Sequence, residues 1–596
     1  MAARRMGGRE RPPRRVAVAL ALLCCSSGIS LADPIPLTEL RSAAYAGGLV
    51  PNTAFTPTAD ARAAHEPFAG VLRIAETEMR TAPSPLKSRE VLGKETALFP
   101  QAELVFSTAD GDLVPATQDV IRAGSSAHGR SFWDLIVQPG KVWSEPGEGA
   151  WSRAAFPFAL VNSLEGETHN GLATFAYRGR EVTNLRFQIV QQTAPYLVSD
   201  YFTAAGIAQV SRRSAPDSQA FVKVYRDSLA DRVIVGSWAE LAAEVGSDRL
   251  AGFDAGLPSD QTVLAGLDYR GKFYLQFCSS AAGELPWCDR ARFGVWSATK
   301  ALANETALLR LAQKFGPEVF ELKIKDYVPE AASYPAWRAV RFEDAIDMAT
   351  GIGNGSAKRE PNNITDGYID PTYDDWYRAR SEHAKVAALL ATGRAYAWGP
   401  GKVARYRDQD MFVLGVAMDR FLKSREGAQA DLWSMLENEV FLPIGIRYAP
   451  INRTLEADGR PGQPLMAFGY YPTIGDMVKI ARLYQNGGRH GEMQILYAPR
   501  IRALFDARPS IGLPTGTKTR FGETYYYNAF WMNAFEQGER CRFQYPVMVG
   551  WGGNLVALLP KGLTAIRLAK SPTDDEQSGD PSDLAVVGNR LAPFCP

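Results

Sequence analysis

Between residues 100 and 191 the chain alternates short apolar and aromatic runs with turn signals. Glu103 to Ser107, Phe132 to Val137, Ala154 to Leu160, Gly171 to Tyr177 and Val182 to Gln191 read as strands, with Asp110-Gly111 and Pro139-Gly140 as turns between them. This pattern predicts a β-rich, sandwich-like domain over residues 33–240. Trp133, Trp143 and Trp151 could line a sugar-binding face, but their setting favours core and edge packing.

From residue 241 to 596 the pattern changes. A short helix is predicted from Trp238 to Val245, then paired strands Val263 to Leu267 and Lys272 to Cys278 across Tyr269-Arg270-Gly271. Ala301, Leu308, Ala312 and Phe315 share one face of a further helix, which Gly316-Pro317 stops. Residues 354–385 are polar and irregular and read as a surface excursion. Met411 to Leu422 is an apolar helix, and Thr473 with Asp476 forms a capping-box pattern before a helix from Met477 to Tyr484. Tyr545 to Gly550 and Asn554 to Leu559 read as strands around Trp551-Gly552-Gly553. A hairpin at Pro560-Lys561-Gly562 leads to a last strand, Leu563 to Ala569.

The first 32 residues carry a separate signal. Arginines between Arg4 and Arg15 precede the short apolar run Val16 to Cys25, and Ser30-Leu31-Ala32 offers a small-x-small cleavage site. The run is too short to span a bilayer. The expectation is a signal peptide cleaved near Ala32 and export to the periplasm or medium. The remaining cysteines, Cys278, Cys288, Cys541 and Cys595, are even in number, as disulfides in an exported protein would be. Three pairings are possible. Cys278 lies close to Cys288, and Cys541 and Cys595 share the C-terminal segment, so 278–288 with 541–595 is the expected set. Their spacing matches no zinc pattern, and no cofactor is expected.

The composition, with 46% hydrophobic and 22% charged residues over 596, is that of a globular chain of more than one domain. The net charge of +1 and the lack of a basic stripe argue against nucleic acid or a polybasic membrane surface as partner.

Candidate chemistry centres on Ser297-Ala-Thr-Lys300. On a helix this spacing places both side chains on one face. A serine hydroxyl needs a neighbouring base, and a lysine whose pKa is lowered by burial can be one. Ser84-Pro85-Leu86-Lys87 repeats the spacing in a Pro-rich stretch with no helix after it and is read as chance.

Two further motifs follow in order: Tyr406-Arg407-Asp408 before Met411, and Trp551-Gly552-Gly553. With Ser297-x-x-Lys300, residues 255–596 resemble the serine β-lactamase and penicillin-binding-protein superfamily, in its class C-like branch, and within that the family VIII esterases. The resemblance implies an α/β (α+β) catalytic domain, an antiparallel sheet flanked by helices. It implies Ser297 as nucleophile, Lys300 and Tyr406 as acid–base groups, and backbone N–H groups of Ser297 and Asn554 as oxyanion hole. Asp408, Trp551, Gly552 and Gly553 would contact substrate. Two residues depart from the pattern. Asp408 stands where the family usually has Asn, and could pair with Lys300 and hold it charged. Trp551 stands where β-lactamases carry Lys, which removes the partner of a substrate carboxylate.

The sequence thus points to an exported serine hydrolase acting on a small ester or amide. A β-lactamase or D-alanyl-D-alanine carboxypeptidase is the rival enzyme, and an inactive peptidoglycan- or partner-binding relative is the rival of another class.

Overall fold

The computed structural model describes residues 33–42, 47–84, 93–125, 129–214, 217–359, 363–369, 371–506, 510–571 and 580–595. The expected signal peptide, residues 1–32, lies outside the described residues.

The predicted N-terminal strands form, but as one twelve-stranded antiparallel sheet and not as a two-layered sandwich. One segment joins the two ends of the sheet. Thr203–Ala208 pairs with Leu185–Gln192, while Val210–Arg213, one residue on, pairs with Ala69–Ile74. Ala69–Ile74 in turn pairs with Ala102–Ala109. The sheet therefore closes on itself as a barrel, which removes free edges. Phe68 packs edge-on against Phe175 and Tyr177 across the interior, with ring centroids 5.2 and 5.1 Å away. Trp133, Trp143 and Trp151 are buried, in line with the packing reading.

The strand His169–Arg178 has both faces covered. Ala173, Phe175 and Tyr177 point into the barrel core. Leu172 and Ala176, offset by one residue, belong to the larger apolar core, which Leu40 and Phe55 also enter. Period-two alternation is thus hidden, because both sides are apolar. The helix Gln219–Ala230 closes this domain, with Tyr225 donating to Asp112 at 2.7 Å.

The second domain is built on a nine-stranded sheet, antiparallel except for its first pair. Its order begins with Val235–Ser237, Lys272–Cys278, Thr262–Tyr269 and Leu563–Ala569. It continues through Asn554–Leu559, Arg542–Gly550, Phe530–Glu536 and Gly522–Tyr527 to Leu513–Thr519. Helices cover both faces. Trp238–Val245 and Ser582–Leu591 pack on one. Asp408–Glu426 and Ile474–Gln485 pack in the larger core on the other. The capping box at Thr473 and Asp476 is present. Both disulfides pair as expected, Cys278 with Cys288 and Cys541 with Cys595. Among the described residues no helix is long and apolar enough to cross a membrane.

Candidate active site

Ser297 lies in the turn that opens its helix, which runs as π-helix over Lys300–Glu305 and as α-helix over Thr306–Phe315. It ends at Gly316, where φ is +100° and glycine is favoured. Trp296, just before the serine, has φ +50°. A bulky residue in that region costs on the order of 1–3 kcal/mol and persists only where its surroundings hold it. Trp296 Nε1 donates to Ala194 O at 2.8 Å, and Gly294 N donates to Thr168 Oγ1 at 3.1 Å. Gly550 packs so tightly that a Cβ there would sit 2.0 Å from Val295 O.

The Ser297–Lys300 spacing delivers the contact it predicts. Lys300 Nζ lies 2.6 Å from Ser297 Oγ and 2.9 Å from Ala467 O. Its third partner is Asp408 Oδ1 at 2.7 Å. The amine also sits 4.9 Å from the centre of the Tyr406 ring. Burial pushes the lysine pKa down. Asp408 opposes this through its charge and its hydrogen bond, and burial prevails. The feared pairing with Asp408 is therefore real, yet Lys300 still titrates below an ordinary lysine.

Asp408 is itself fixed. Its Oδ2 accepts from Tyr368 at 3.0 Å and from Tyr373 at 2.8 Å. Burial first, and then the Asp408 charge, hold both phenols well above their usual pKa, so they act as donors. Neither tyrosine was singled out from the sequence. They lie in the 354–385 stretch expected as a surface excursion, and that expectation is corrected here. Its helix Pro371–Arg378 buries Tyr373, Trp376 and Tyr377, and the segment folds over the site. The aromatic cluster 368–377 was the signal, masked by the polar residues between.

Above Ser297 is a cavity of about 210 Å³. Trp296, Ser297, Tyr406, Asp408, Val549, Gly550 and Trp551 line it, together with Tyr368 and Tyr373. Trp531, whose ring lies 6.2 Å from that of Tyr406, Asn533 and the strand residues Thr517, Lys518, Thr519 and Thr524 line it as well. Tyr196, from the N-terminal barrel, completes the wall. Arg407 is outside it, buried and paired with Asp410 Oδ1 at 3.2 Å.

Three of the expected residues, Asn554, Gly552 and Gly553, are not among those that line the cavity. Asn554 is fully buried and outside the cavity wall. Its Nδ2 donates to Trp551 O at 2.9 Å, and its Oδ1 accepts from Ala569 N at 3.0 Å. It thus pins the turn between two strands, while the residues of this stretch that line the cavity are Val549, Gly550 and Trp551. Gly552 and Gly553 are also absent from the wall. They hold φ of +81° and +89°, and their role is to make that turn.

Among the described residues no group of three or more His, Cys, Asp or Glu is arranged to hold a metal ion. The side chains brought together are ones that nucleophilic acyl chemistry uses. They are a hydroxyl at the start of a helix, a buried amine in contact with it, and a phenol beside that amine.

No protein-family model and no curated protein matches the chain. Solved structures do. A family VIII carboxylesterase is 18% identical at a TM-score of 0.40, covering 58% of this chain and 96% of its own. A D-alanine carboxypeptidase from Burkholderia cenocepacia is 16% identical at 0.39, covering 59% and 99%. A β-lactamase from Sulfitobacter sp. EE-36 is 15% identical at 0.36, covering 62% and 96%. The chain is similar to these structures over part of its length.

Proposed function

We propose that the protein is a serine hydrolase that opens a small, largely uncharged ester or amide through an acyl-Ser297 intermediate. The observation that carries this is the 2.6 Å contact between Ser297 Oγ, which lines an aromatic-walled cavity, and a buried Lys300 of lowered pKa. Lys300, once neutral, takes the Ser297 proton as Oγ attacks the acyl carbon. The oxyanion is held by the backbone N–H of Ser297 and by the strand end Val549 to Trp551. Tyr406 passes the proton to the leaving oxygen or nitrogen, and water then attacks the acyl-enzyme by the same steps in reverse.

A fluorophosphonate probe tests this. Labelling should fall on Ser297, and Ser297→Ala should abolish both labelling and turnover of p-nitrophenyl butyrate. Turnover that survives in Ser297→Ala rejects the mechanism. A wild-type protein that neither labels nor turns over any ester, amide or β-lactam leaves the inactive-binder reading in its place.

A second reading has one observation in its favour. Lys518 lies on the cavity rim, and its carboxylate partner, Glu523, is 3.8 Å away on the exposed surface. That cation could receive a substrate carboxylate in place of the lysine missing at Trp551, as a β-lactam or a D-Ala-D-Ala peptide would require.

A further inference from the structure

The N-terminal barrel reaches the serine site through Thr193 to Ser199, part of the link between the strands Leu185–Gln192 and Thr203–Ala208. Two successive carbonyls of this segment accept the two indoles that flank the serine. Ala194 O takes Trp296 Nε1 at 2.8 Å, and Pro195 O takes Trp551 Nε1 at 2.9 Å. The fit is close, since a Cβ on Gly552 would lie 2.2 Å from Ala194 Cβ. On its far side the segment is held by Glu165. That carboxyl group accepts the N–H groups of Leu197 at 2.6 Å, Val198 at 3.0 Å and Ser199 at 2.8 Å. Tyr196 is therefore fixed from both directions. Its ring stands edge-on to Trp551 at 4.9 Å and to Trp296 at 5.6 Å, 9% exposed at the cavity wall.

The polar atoms of the neighbouring rings are engaged with the protein. The indole N–H groups of Trp296 and Trp551 go to the barrel, and the hydroxyls of Tyr368 and Tyr373 go to Asp408. What these rings offer a substrate is apolar surface, which suits an alkyl or aryl group.

We propose that the barrel is part of the active site, and that Tyr196 is a specificity-determining residue that limits the acyl group to short or planar, uncharged ones. This rests on the serine-hydrolase reading and adds the substrate class and the reason for the N-terminal barrel. Replacing the ring with a methyl group opens space beside Ser297 for a longer chain, while the carbonyls of residues 194 and 195 remain.

The test uses the full chain and p-nitrophenyl acetate, butyrate and octanoate. In Tyr196→Ala the octanoate-to-butyrate ratio of kcat/KM should rise at least tenfold. Tyr196→Phe, which keeps the ring, should restore the wild-type order of preference. Tyr196→Leu serves if the alanine variant loses its thermal transition, and should give an intermediate ratio. An unchanged ratio in a folded variant overturns the proposal. A readout without turnover separates it from the hydrolase reading. It is the affinity, by calorimetry, of the ketone in which CH2 replaces the ester oxygen of p-nitrophenyl butyrate. In Ser297→Ala protein the further change Tyr196→Ala should weaken this binding at least fivefold. Equal affinity rejects the role of Tyr196 whether or not the wild type is a hydrolase.

Discussion

Lys300 Nζ sits 2.7 Å from Asp408 Oδ1, inside a site where both side chains are almost fully buried. The carboxylate stabilises the ammonium form and so works against the lysine as a base, while burial works for it. The balance sets the acid limb of the pH–rate profile. Asp408→Asn removes the charge and keeps the shape. It should move that limb to lower pH, and kcat/KM on the rising side should increase by up to about tenfold for each pH unit the limb moves. Profiles of p-nitrophenyl butyrate hydrolysis for both proteins measure this. A limb that stays in place, or moves to higher pH, contradicts the assigned role of Lys300.

Removing the base itself should be far more damaging. Lys300→Ala should lower kcat by about 10²–10⁴-fold, the range for a positioned general base. Labelling of Ser297 should slow in proportion. Near-normal labelling in that variant means that another group activates the serine.

Substrate charge is decided between Trp551 and Lys518. Trp551 offers ring surface and no cation, and Lys518 is at the rim with a largely exposed side chain. Exposed ion pairs contribute about 0–1 kcal/mol, less than tenfold in rate. Short neutral esters should therefore be cleaved faster, in kcat/KM, than a chromogenic cephalosporin. Lys518→Ala should leave neutral esters within about threefold of wild type. Trp551→Lys should lower ester activity, because it also breaks the bond to Pro195 O. A cephalosporin that outruns p-nitrophenyl butyrate, and slows in Lys518→Ala, moves the assignment to the β-lactamase reading.

Glu165 makes stability depend on pH. Burial, and next the charge of Glu167, raise its pKa to about 7 from the ordinary 4.5. The folded state then holds a proton that the unfolded state releases between those values. Its contribution is full below about pH 4.5 and is lost as the pH rises through about 7. Asp347, also held at about 7 by burial, adds a loss of the same sign. His169 acts oppositely, since burial lowers its pKa to about 4 and stability is lost as the pH falls from 6.5. Thermal melts from pH 4.5 to 8 should show Glu165→Gln losing less stability than wild type across the upper half of the range. Parallel curves reject the assignment.

The two disulfides should differ in weight. Cys541 and Cys595 close a loop of 54 residues and Cys278 and Cys288 one of 10. In the chain-entropy account the longer loop is worth about 4 kcal/mol and the shorter about 3. Cys541→Ser should therefore lower the melting temperature more than Cys288→Ser, in oxidised protein whose bonds are confirmed by non-reducing peptide mapping.

The sequence by itself determined the contacts that are local. Ser297 and Lys300 are three residues apart, and helix geometry alone brings them together. The capping box at Thr473, the stop at Gly316 and the hairpin at Pro560 to Gly562 depend on neighbours within a few residues, and each is legible for that reason. What the tertiary structure decided are the pairings that sequence distance hides. Period-two alternation gives strands but not their partners, so only the double pairing of residues 203–213 distinguishes a closed barrel from a sandwich. Tyr368 and Tyr373 meet Asp408 across 35 to 40 residues. Tyr196 meets Trp551 across 355 residues, from the barrel to the end of a strand of the nine-stranded sheet. In each case burial against a distant partner, and not the local pattern, fixes where the side chain ends.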